Sequence, residues 1–326
     1  MTITLPESSR LLIEVALQPA QGSRFQPTGF PDLGAAEYKL SDGTSNVLVE
    51  SAQSIANRLE ASCWDASKDT LAAPLLGLPY VEATDASGRR LTTSLTEAHR
   101  INSPYFMDAD SPLRSTFEQS FPKDALERTD QRKFAEILFK YDPNSLVHGV
   151  FMARSEIAGG RLRLPRALSG FIEAHDIRVA ESGGVKNDPV NPSGDAAAGY
   201  GNVIFTRTEY TATRLTAFFN LDIAQLRGYR LGEAATRLLY VLAVFKIHRF
   251  LQDGLRLRTA CDLDVRELRV TRPTDYALPT LAICESVLPS LINACASQFA
   301  EPRTTRVQTN VATGARAPKP KREATR

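Results

Sequence analysis

A polar stretch between two predicted strands constrains this 326-residue chain most strongly. Residues 182–201 contain no Leu, Ile, Phe or Met, whereas 169–182 and 203–222 alternate apolar and polar residues as β-strands do. A loop of that length is uncommon in a compact domain unless it serves a function. We therefore expect both strands in the sheet, joined by a long polar loop over 183–200.

Apolar periodicity predicts the elements around these strands. They are, in chain order, strand 10–17, helix 45–62, helix 231–254, strand 262–270 and helix 279–300 with Pro289 inside it. Thr44 or Ser45 is the expected N-cap of the first helix, with Leu48 on its buried face. With residues 64–160 set aside, the order is β–α–β–β–α–β. This order is typical of α+β proteins with the ferredoxin-like fold, and RNA-recognition domains share it.

Residues 64–160 do not follow this simple order and are predicted to form an inserted subdomain. Its expected elements are a hairpin around Ser87-Gly88, helices over 111–121 and 130–141, and a strand over 145–152. The tail, 301–326, has two Val as its only large apolar residues. It is expected to stay disordered, because it cannot bury enough apolar surface to order itself.

Several classes of protein are disfavoured by composition and motifs. The four cysteines form no CxxC pair and are expected to be reduced thiols of a cytoplasmic protein. No apolar run approaches the roughly 20 residues that span a bilayer, and no signal peptide is visible, so no membrane partner is expected. The four histidines lack metal-site spacing, and neither a GxSxG nor a Walker motif is present. The sequence therefore predicts no catalytic residue, no metal and no cofactor.

Positive charge is concentrated in the middle and the tail of the chain. Residues 150–260 carry 15 Lys and Arg against 10 Asp and Glu, whereas 1–149 carry 14 against 20. Arg161 and Arg163 fall in GGRLRLPRALSG and would share one face of an extended segment. Arginine is suited to bidentate phosphate contacts, so a nucleic-acid partner is plausible from this distribution.

Five segments together resemble one known family. They are LLIEVALQP, GSRFQPTGFPDLG, TSNVLVESAQSIANRLE, HRINSPY and ALSGFIEAHDIR. They are similar to the Csb-type RAMP proteins of the Cas-seven family, which are the backbone subunits of type I-G (formerly I-U) CRISPR surveillance complexes. The resemblance extends over most of residues 10–300 and leaves out the tail.

The resemblance implies a fold and a function. The fold would be a modified RNA-recognition palm over 1–63 and 161–300, with fingers over 64–160 and a thumb over 183–200. Copies of the chain would polymerise head to tail along a CRISPR RNA, together with other subunits of the complex. The guide would then pair with the target DNA strand, and the backbone subunit itself would not be an enzyme.

Candidate RNA-binding residues follow from the resemblance and from the basic segments. Those in the first loop and around the first helix are Ser23, Arg24, Ser45, Asn46, Gln53, Asn57 and Arg58. Those in the basic middle are Arg161, Arg163, Arg166, Lys186, Asn187, Asn202 and Arg207. The N-terminus of the first helix is expected to meet a phosphate. An internal pair between Arg58 and Glu50 is an equally good interpretation of those two residues.

Two other functions remain open from the sequence. One is a RAMP-type endoribonuclease that processes CRISPR RNA, for which His99 and His148 are the candidate acid–base residues. The other is a protein-interaction scaffold that binds no RNA. Bound RNA in the purified protein separates the scaffold from the RNA-binding functions, and RNA cleavage that requires either histidine identifies the nuclease.

Overall fold

The computed structural model of the chain describes residues 3–30, 32–107, 111–123 and 130–309. Within these residues there are sixteen strands and eight α-helices. The strands are β1 (Arg10–Pro19), β2 (Gly29–Phe30), β3 (Gly34–Ala35), β4 (Glu37–Lys39), β5 (Ser45–Glu50), β6 (Trp64–Asp65), β7 (Thr70–Leu71), β8 (Tyr80–Thr84), β9 (Arg90–Thr93), β10 (Val150–Met152), β11 (Leu162–Leu164), β12 (Leu168–Lys186), β13 (Val203–Asp222), β14 (Arg256–Arg258), β15 (Cys261–Arg272) and β16 (Thr304–Gln308). The helices are α1 (Ala52–Ala61), α2 (Pro104–Met107), α3 (Pro112–Ser120), α4 (Gln131–Tyr141), α5 (Asn144–His148), α6 (Ile223–Gly228), α7 (Glu233–Asp253) and α8 (Leu281–Ala294).

A seven-stranded antiparallel sheet organises the molecule, with the order β14-β15-β1-β13-β12-β5-β4. The alternation in β1 buries Leu11, Ile13 and Val15 on one face of this sheet. Helix α7 is buried along most of its length and packs against α1 and α8, while α1 also contacts β12. The chain is therefore a mixed α+β protein whose core lies between this sheet and its helices.

The first predicted helix begins later than the sequence pattern indicated. Residues Ser45–Glu50 form β5, which is paired with β12 and β4. The helix begins at Ala52, and its N-cap is Ser51, whose Oγ accepts a hydrogen bond from the Ser54 amide at 3.2 Å. Val47 and Val49 are β-branched and buried, which favours a strand at this position.

Other boundaries also differ from the sequence prediction. Residues 145–152, predicted as one strand, divide into the end of α5 and the short β10, with Gly149 between them at a positive φ of 78°. Part of the predicted disordered tail, Thr304–Gln308, forms β16 parallel to β8 and buries Val307. Residues 310–326 of that tail lie outside the described residues.

The predicted loop over 183–200 is shorter than expected. Strands β12 and β13 remain paired as far as Lys186 and Val203, so that only 187–202 connect them. Asp188 organises this connection, because its carboxylate accepts hydrogen bonds from the amides of Val190, Asn191 and Gly201. We call residues 178–208 the arm, because nearly all of them are exposed or half-buried.

The remaining predicted elements agree with the structure in kind. The strand over 10–17, the hairpin around Ser87-Gly88 and the helices over 111–121 and 130–141 are present, each with small shifts at its ends. So are the helix over 231–254 and the strand over 262–270. The last helix keeps Pro289 inside and ends at Ala294. Across the part of the chain that the structure describes, no helix is both long enough and apolar enough to cross a bilayer.

Candidate nucleic-acid interface

A groove of about 800 Å³ lies beside the β10–β11 hairpin. We call it the arginine groove. Its lining includes Arg100, Arg161, Arg163, Arg166, His148 and Phe151. The groove therefore combines four guanidinium groups, an imidazole and an exposed aromatic ring, a composition suited to phosphates and bases.

The β10–β11 hairpin places two of these side chains on one face. Phe151 lies directly opposite Arg163 in the antiparallel register, and both are exposed, whereas their neighbours in each strand are buried. Arg161 lies two residues before Arg163 and is also exposed, as the alternation of an extended segment requires. Gly149 immediately precedes the hairpin. A larger residue would not fit there, because a Cβ would lie 2.8 Å from the Leu164 carbonyl oxygen.

The arginines of the groove differ in how their charge is compensated. Arg100 forms an ion pair with Glu60, with Nη2 at 2.8 Å from Oε2. Arg161 donates to the carbonyl oxygen of Ala158 at 2.9 Å, and Arg166 donates to that of Ala52 at 3.3 Å. Among the described residues, no ion pair involves Arg161, Arg163 or Arg166. Their positive charge is therefore available to a ligand.

His148 lies at the buried side of this groove with only 1% of its surface exposed. Its Nε2 lies 2.7 Å from Nζ of the fully buried Lys246, and its Nδ1 has no hydrogen-bond partner. Burial holds the pKa of His148 well below its usual value, and the charges of Lys246, Arg100 and Arg166 lower it further. The imidazole is therefore neutral near pH 7.

Five of the residues that were predicted to bind RNA lie at this surface. Arg161, Arg163 and Arg166 line the groove, and Arg166 also donates to the Gln53 side chain. Gln53 in turn donates to Asn57 at 3.0 Å, which extends the polar surface along the first turns of α1. Burial, together with the neighbouring charge of Arg100, lowers the pKa of Arg166.

Comparison with known proteins identifies the family. A family model described as CRISPR-associated protein GSU0053 matches residues 11–179, which is more than half of the chain. The chain belongs to this CRISPR-associated family. The matched residues include the whole β10–β11 hairpin and all the groove residues named above. No curated protein sequence matches this member of the family.

Two solved structures are similar to this family member at low sequence identity. One is a chain of a "CRISPR RNA-guided surveillance complex, pre-nicking", with a TM-score of 0.42 and 11% identity, over 80% of this chain and 77% of that chain. The other is Csc2 of Thermofilum pendens, with a TM-score of 0.33 and 8% identity, over 89% of this chain and 76% of that chain.

Ser23, Arg24 and Arg207, which were also predicted to bind RNA, lie at the base of the arm. Arg24 pairs with Glu209 at 3.1 Å, and Arg207 lies 3.9 Å from the same carboxylate. Ser182 donates to Glu209 at 2.8 Å. Ser23 and Arg24 line a cleft of about 320 Å³ beside Glu209. The first loop is thus joined to the arm, and these two arginines share a single carboxylate.

Lys186, Asn187 and Asn202, which were also predicted to bind RNA, lie near the tip of the arm. They are not part of the lining of the arginine groove or of the cleft beside Arg24. Lys186 ends β12, and Asn187 follows it in the connection to β13. Asn202 accepts a hydrogen bond from the Asp188 amide at 2.7 Å, so its side chain supports the turn. The arm also exposes Val185, Val203, Ile204 and Phe205.

The remaining predicted residues are held inside the fold. Ser45 and Asn46 lie in β5 and not at a helix N-terminus, and Asn46 accepts a hydrogen bond from the Asp176 amide at 3.2 Å. Asp176 has a positive φ of 51°, so this bond supports an irregular backbone in β12. Arg58 pairs with the buried Glu50 at 3.2 Å, which is the internal pair that the sequence offered as one interpretation.

Sequence reasoning did not find several residues of the groove. They are Arg100 and Phe151; Lys246, which lies outside the lining and contacts His148, was also missed, and His148 was considered only as a catalytic candidate. Phe151 carried a usable signal, because it stands between the apolar Val150 and Met152 in a strand that must bury one face. The four cysteines are free and buried, and the described residues contain no cluster of metal-ligating side chains.

Proposed function

We propose that this CRISPR-associated protein is an RNA-binding backbone subunit of a type I-G surveillance complex, of the Csb-type, Cas-seven kind. The observation that carries the proposal is the arginine groove, where Arg161, Arg163 and Arg166 have no carboxylate partner among the described residues. The family match supports the CRISPR context, and the groove supplies the chemistry for a guide RNA.

The groove fits recognition of the RNA backbone without reading the sequence. Guanidinium groups bind phosphate oxygens through charge-assisted, often bidentate hydrogen bonds. Phe151 is 53% exposed beside Arg163 and offers a flat apolar surface on which an unpaired base can stack. Sequence specificity would come from pairing between the guide and the target DNA strand. A subunit that serves every guide needs only such backbone contacts.

The strand order supports a ferredoxin-like palm for this protein. In the predicted order β–α–β–β–α–β, the four strands are β1, β12, β13 and β15, and the two helices are α1 and α7. In the sheet these four strands are neighbours, in the order β15-β1-β13-β12. The palm is assigned to 1–63 and 161–300, and the fingers to 64–160. The thumb, 183–200, is the outer part of the arm.

Polymerisation along the guide is part of the same proposal. A contact between different surfaces of identical copies generates an open filament when the rotation between the copies does not close. The arm projects exposed apolar residues near its tip, including Val185 and Ile204, which face each other across the two strands. These residues supply apolar surface for a contact with the next copy or with another subunit of the complex.

Direct binding measurements test the RNA-binding proposal. A labelled single-stranded CRISPR RNA is titrated with the wild type and with the Arg161→Glu/Arg163→Glu double variant at low salt. The variant is expected to bind at least about 100-fold more weakly, which corresponds to about 2.7 kcal/mol. The matched control is Arg266→Glu/Arg269→Glu, which makes the same charge change on the exposed surface of β15. Equal weakening by both variants would contradict a groove-specific role.

The proposed role is non-catalytic, and two measurements separate it from the alternatives. Size-exclusion chromatography with the 260 to 280 nm absorbance ratio, with and without RNase, reports whether a large species depends on RNA. A clean monomer that binds no CRISPR RNA would favour the protein scaffold. Cleavage of the RNA that is lost in His99→Ala or His148→Ala would identify the endoribonuclease.

A further inference from the structure

A second basic cleft lies at the junction of α6 and α7 and has a volume of about 530 Å³. We call it the α6–α7 cleft. Its lining includes Ile3, Leu5, Arg227, Arg230, Thr236 and Arg237. We propose that this cleft binds a phosphate of the RNA strand where the strand leaves the arginine groove. The inference rests on the proposed function, because it adds a second contact with the same RNA.

The α6–α7 cleft carries an excess of positive charge. Three guanidinium groups line it together with one carboxylate, that of Glu233. Glu233 pairs with Arg237 and is itself 84% exposed, so it compensates one arginine at most. Arg227 donates to the carbonyl oxygens of Pro6 and Glu7 at 2.8 and 3.0 Å. These bonds fix its guanidinium group without neutralising the charge, and a fixed guanidinium group suits a phosphate oxygen.

Arg230 has the least compensated charge of the three arginines. Its side chain is exposed, and in the described part of the chain its guanidinium group forms no ion pair. Its backbone lies in the left-handed region, with a φ of 54°, directly after the C-cap of α6. Glycine is the usual residue at this position, because a side chain there strains the backbone. The side chain of Arg230 is therefore kept at a position where the local structure favours its absence, as at many ligand-binding sites.

Helix α6 connects the α6–α7 cleft with the arginine groove. Gln225 of this helix donates at 2.8 Å to the carbonyl oxygen of Pro165, which lines the groove. Arg227 follows two residues later, on the other side of the helix, and lines the cleft. One short helix thus separates the two sites. Proteins that bind single strands follow the backbone with a continuous line of positive charge, and the cleft extends that line beyond the groove.

The other wall of the cleft is apolar and is formed by Ile3 and Leu5. A phosphate of an RNA strand carries a sugar and a base with it, and these groups have apolar faces that such a wall can cover. A cleft with guanidinium groups on one side and aliphatic side chains on the other therefore fits a nucleotide unit. Its continuity with the groove favours the RNA strand over an acidic segment of a protein partner.

Arg230→Gly tests the contact without a cost to the backbone, because glycine adopts a positive φ readily. The variant is expected to be as stable as the wild type in chemical denaturation. Its affinity at low salt is measured for single-stranded RNAs of increasing length. The longest strands are expected to bind about tenfold more weakly, and the shortest strands that the groove still binds are expected to bind as they do to the wild type.

A charge reversal and a modified RNA sharpen this measurement. Arg230→Glu is expected to weaken binding of the longest RNA more than Arg230→Gly does, whereas the matched control Arg266→Glu, on the exposed surface of β15, should change it by less than about twofold. Strands with neutral methylphosphonate groups at the 5′ or at the 3′ end then locate the contact. With one of these two strands, the wild type and Arg230→Gly are expected to bind equally well.

Four outcomes would overturn the inference. They are a loss that is equal for short and long strands, an equal loss in Arg266→Glu, a difference between wild type and Arg230→Gly that persists with both modified strands, and full RNA affinity in Arg230→Gly. In the last case, a change in the size of RNA-free Arg230→Glu on size exclusion would assign the cleft to an acidic protein partner. Each of these outcomes leaves the proposed function standing if Arg161→Glu/Arg163→Glu still weakens binding. A wild type that binds no RNA overturns both.

Discussion

Two arginine clusters adjoin helix α1 and differ in one respect. In the arginine groove, Arg161 donates to a backbone carbonyl oxygen, and Arg166 donates to a backbone carbonyl and a side-chain amide oxygen. Among the described residues, no carboxylate forms an ion pair with Arg161, Arg163 or Arg166. In the second cluster, which we call the Glu50 cluster, the buried carboxylate of Glu50 receives Arg58 and Arg258. The Ser54 hydroxyl also donates to Glu50.

The difference lies in whether a carboxylate completes the cluster. Glu50 is 1% exposed, so its charge requires both arginines, and they join β5 and α1 to β14. Arg161, Arg163 and Arg166 of the groove have no such partner among the described residues, and their charge is left for a ligand. Residue type alone does not distinguish a structural arginine from a binding arginine, whereas the nearest carboxylate does.

Removal of Glu50 is expected to have the largest effect on stability. Glu50→Ala leaves Arg58 and Arg258 partly buried without their counter-charge, and breaking a buried pair in this way costs about 3 kcal/mol or more. Chemical denaturation would measure the loss. The folded fraction should retain its RNA affinity within about twofold, because Glu50 does not line the groove.

The control for that measurement is an exposed ion pair. Glu233 pairs with Arg237 on α7 and is 84% exposed, so Glu233→Ala is expected to change the free energy of unfolding by less than about 0.5 kcal/mol. If Glu50→Ala were as mild as Glu233→Ala, the Glu50 cluster would not be structural, and the contrast between the two arginine clusters would fail.

Arg166 is expected to show an intermediate effect, because it belongs to the groove and also contacts α1. Arg166→Ala removes hydrogen bonds to Ala52 and Gln53, so a loss of about 1 kcal/mol in unfolding free energy is expected. RNA affinity should fall about tenfold. Denaturation and binding are measured on the same preparation. A loss of stability without any loss of affinity would place Arg166 with Arg58 as a purely structural arginine.

The sequence predicted the core well where the alternation of apolar residues was regular. Strands β1 and β15 and helix α7 were found because each buries a continuous face. The start of α1 was wrong because Val47 and Val49 fit both a strand and a helix face, and only the pairing of β5 with β12 and β4 decides between them.

The candidate site was predictable only in part, for a physical reason. The shared face of Arg161 and Arg163 follows from local alternation and was foreseen. Whether Arg58 forms an internal ion pair depends on Glu50, which also pairs with Arg258, 208 residues away in the chain. The contact that engages Nε2 of His148 is made by Lys246, 98 residues away in the chain. Such long-range pairings leave no periodic signal in the sequence.

The buried His148 should also make the stability of the protein depend on pH. Burial lowers the pKa of His148 below its unfolded value near 6.5, so the unfolded chain takes up a proton first as the pH falls. Stability from this residue is fully present above pH 6.5 and is lost below it. Between pH 7.5 and 5.5 the loss is expected to be about 1 kcal/mol.

His148→Gln provides the comparison for this pH dependence. The variant has no titrating group at this position, so its free energy of unfolding should fall by about 1 kcal/mol less over the same interval. The half-buried His248 also has a pKa lowered by burial, and its contribution cancels between the two proteins. Identical pH profiles for both proteins would contradict a neutral, buried His148.

The smallest expected effect concerns the salt dependence of RNA binding. Each phosphate contact of a single strand releases condensed counterions, which gives a slope of about −0.7 in a plot of log affinity against log salt concentration. Arg163→Ala should therefore reduce the magnitude of the slope by about 0.7, because Arg163 is exposed in the groove without an ion pair among the described residues. Arg58→Ala should leave the slope unchanged, because Arg58 is paired with Glu50 and does not line the groove. Equal slopes for the wild type and Arg163→Ala would show that the groove does not hold a phosphate there, and the distinction between the two arginine clusters would lose its functional meaning.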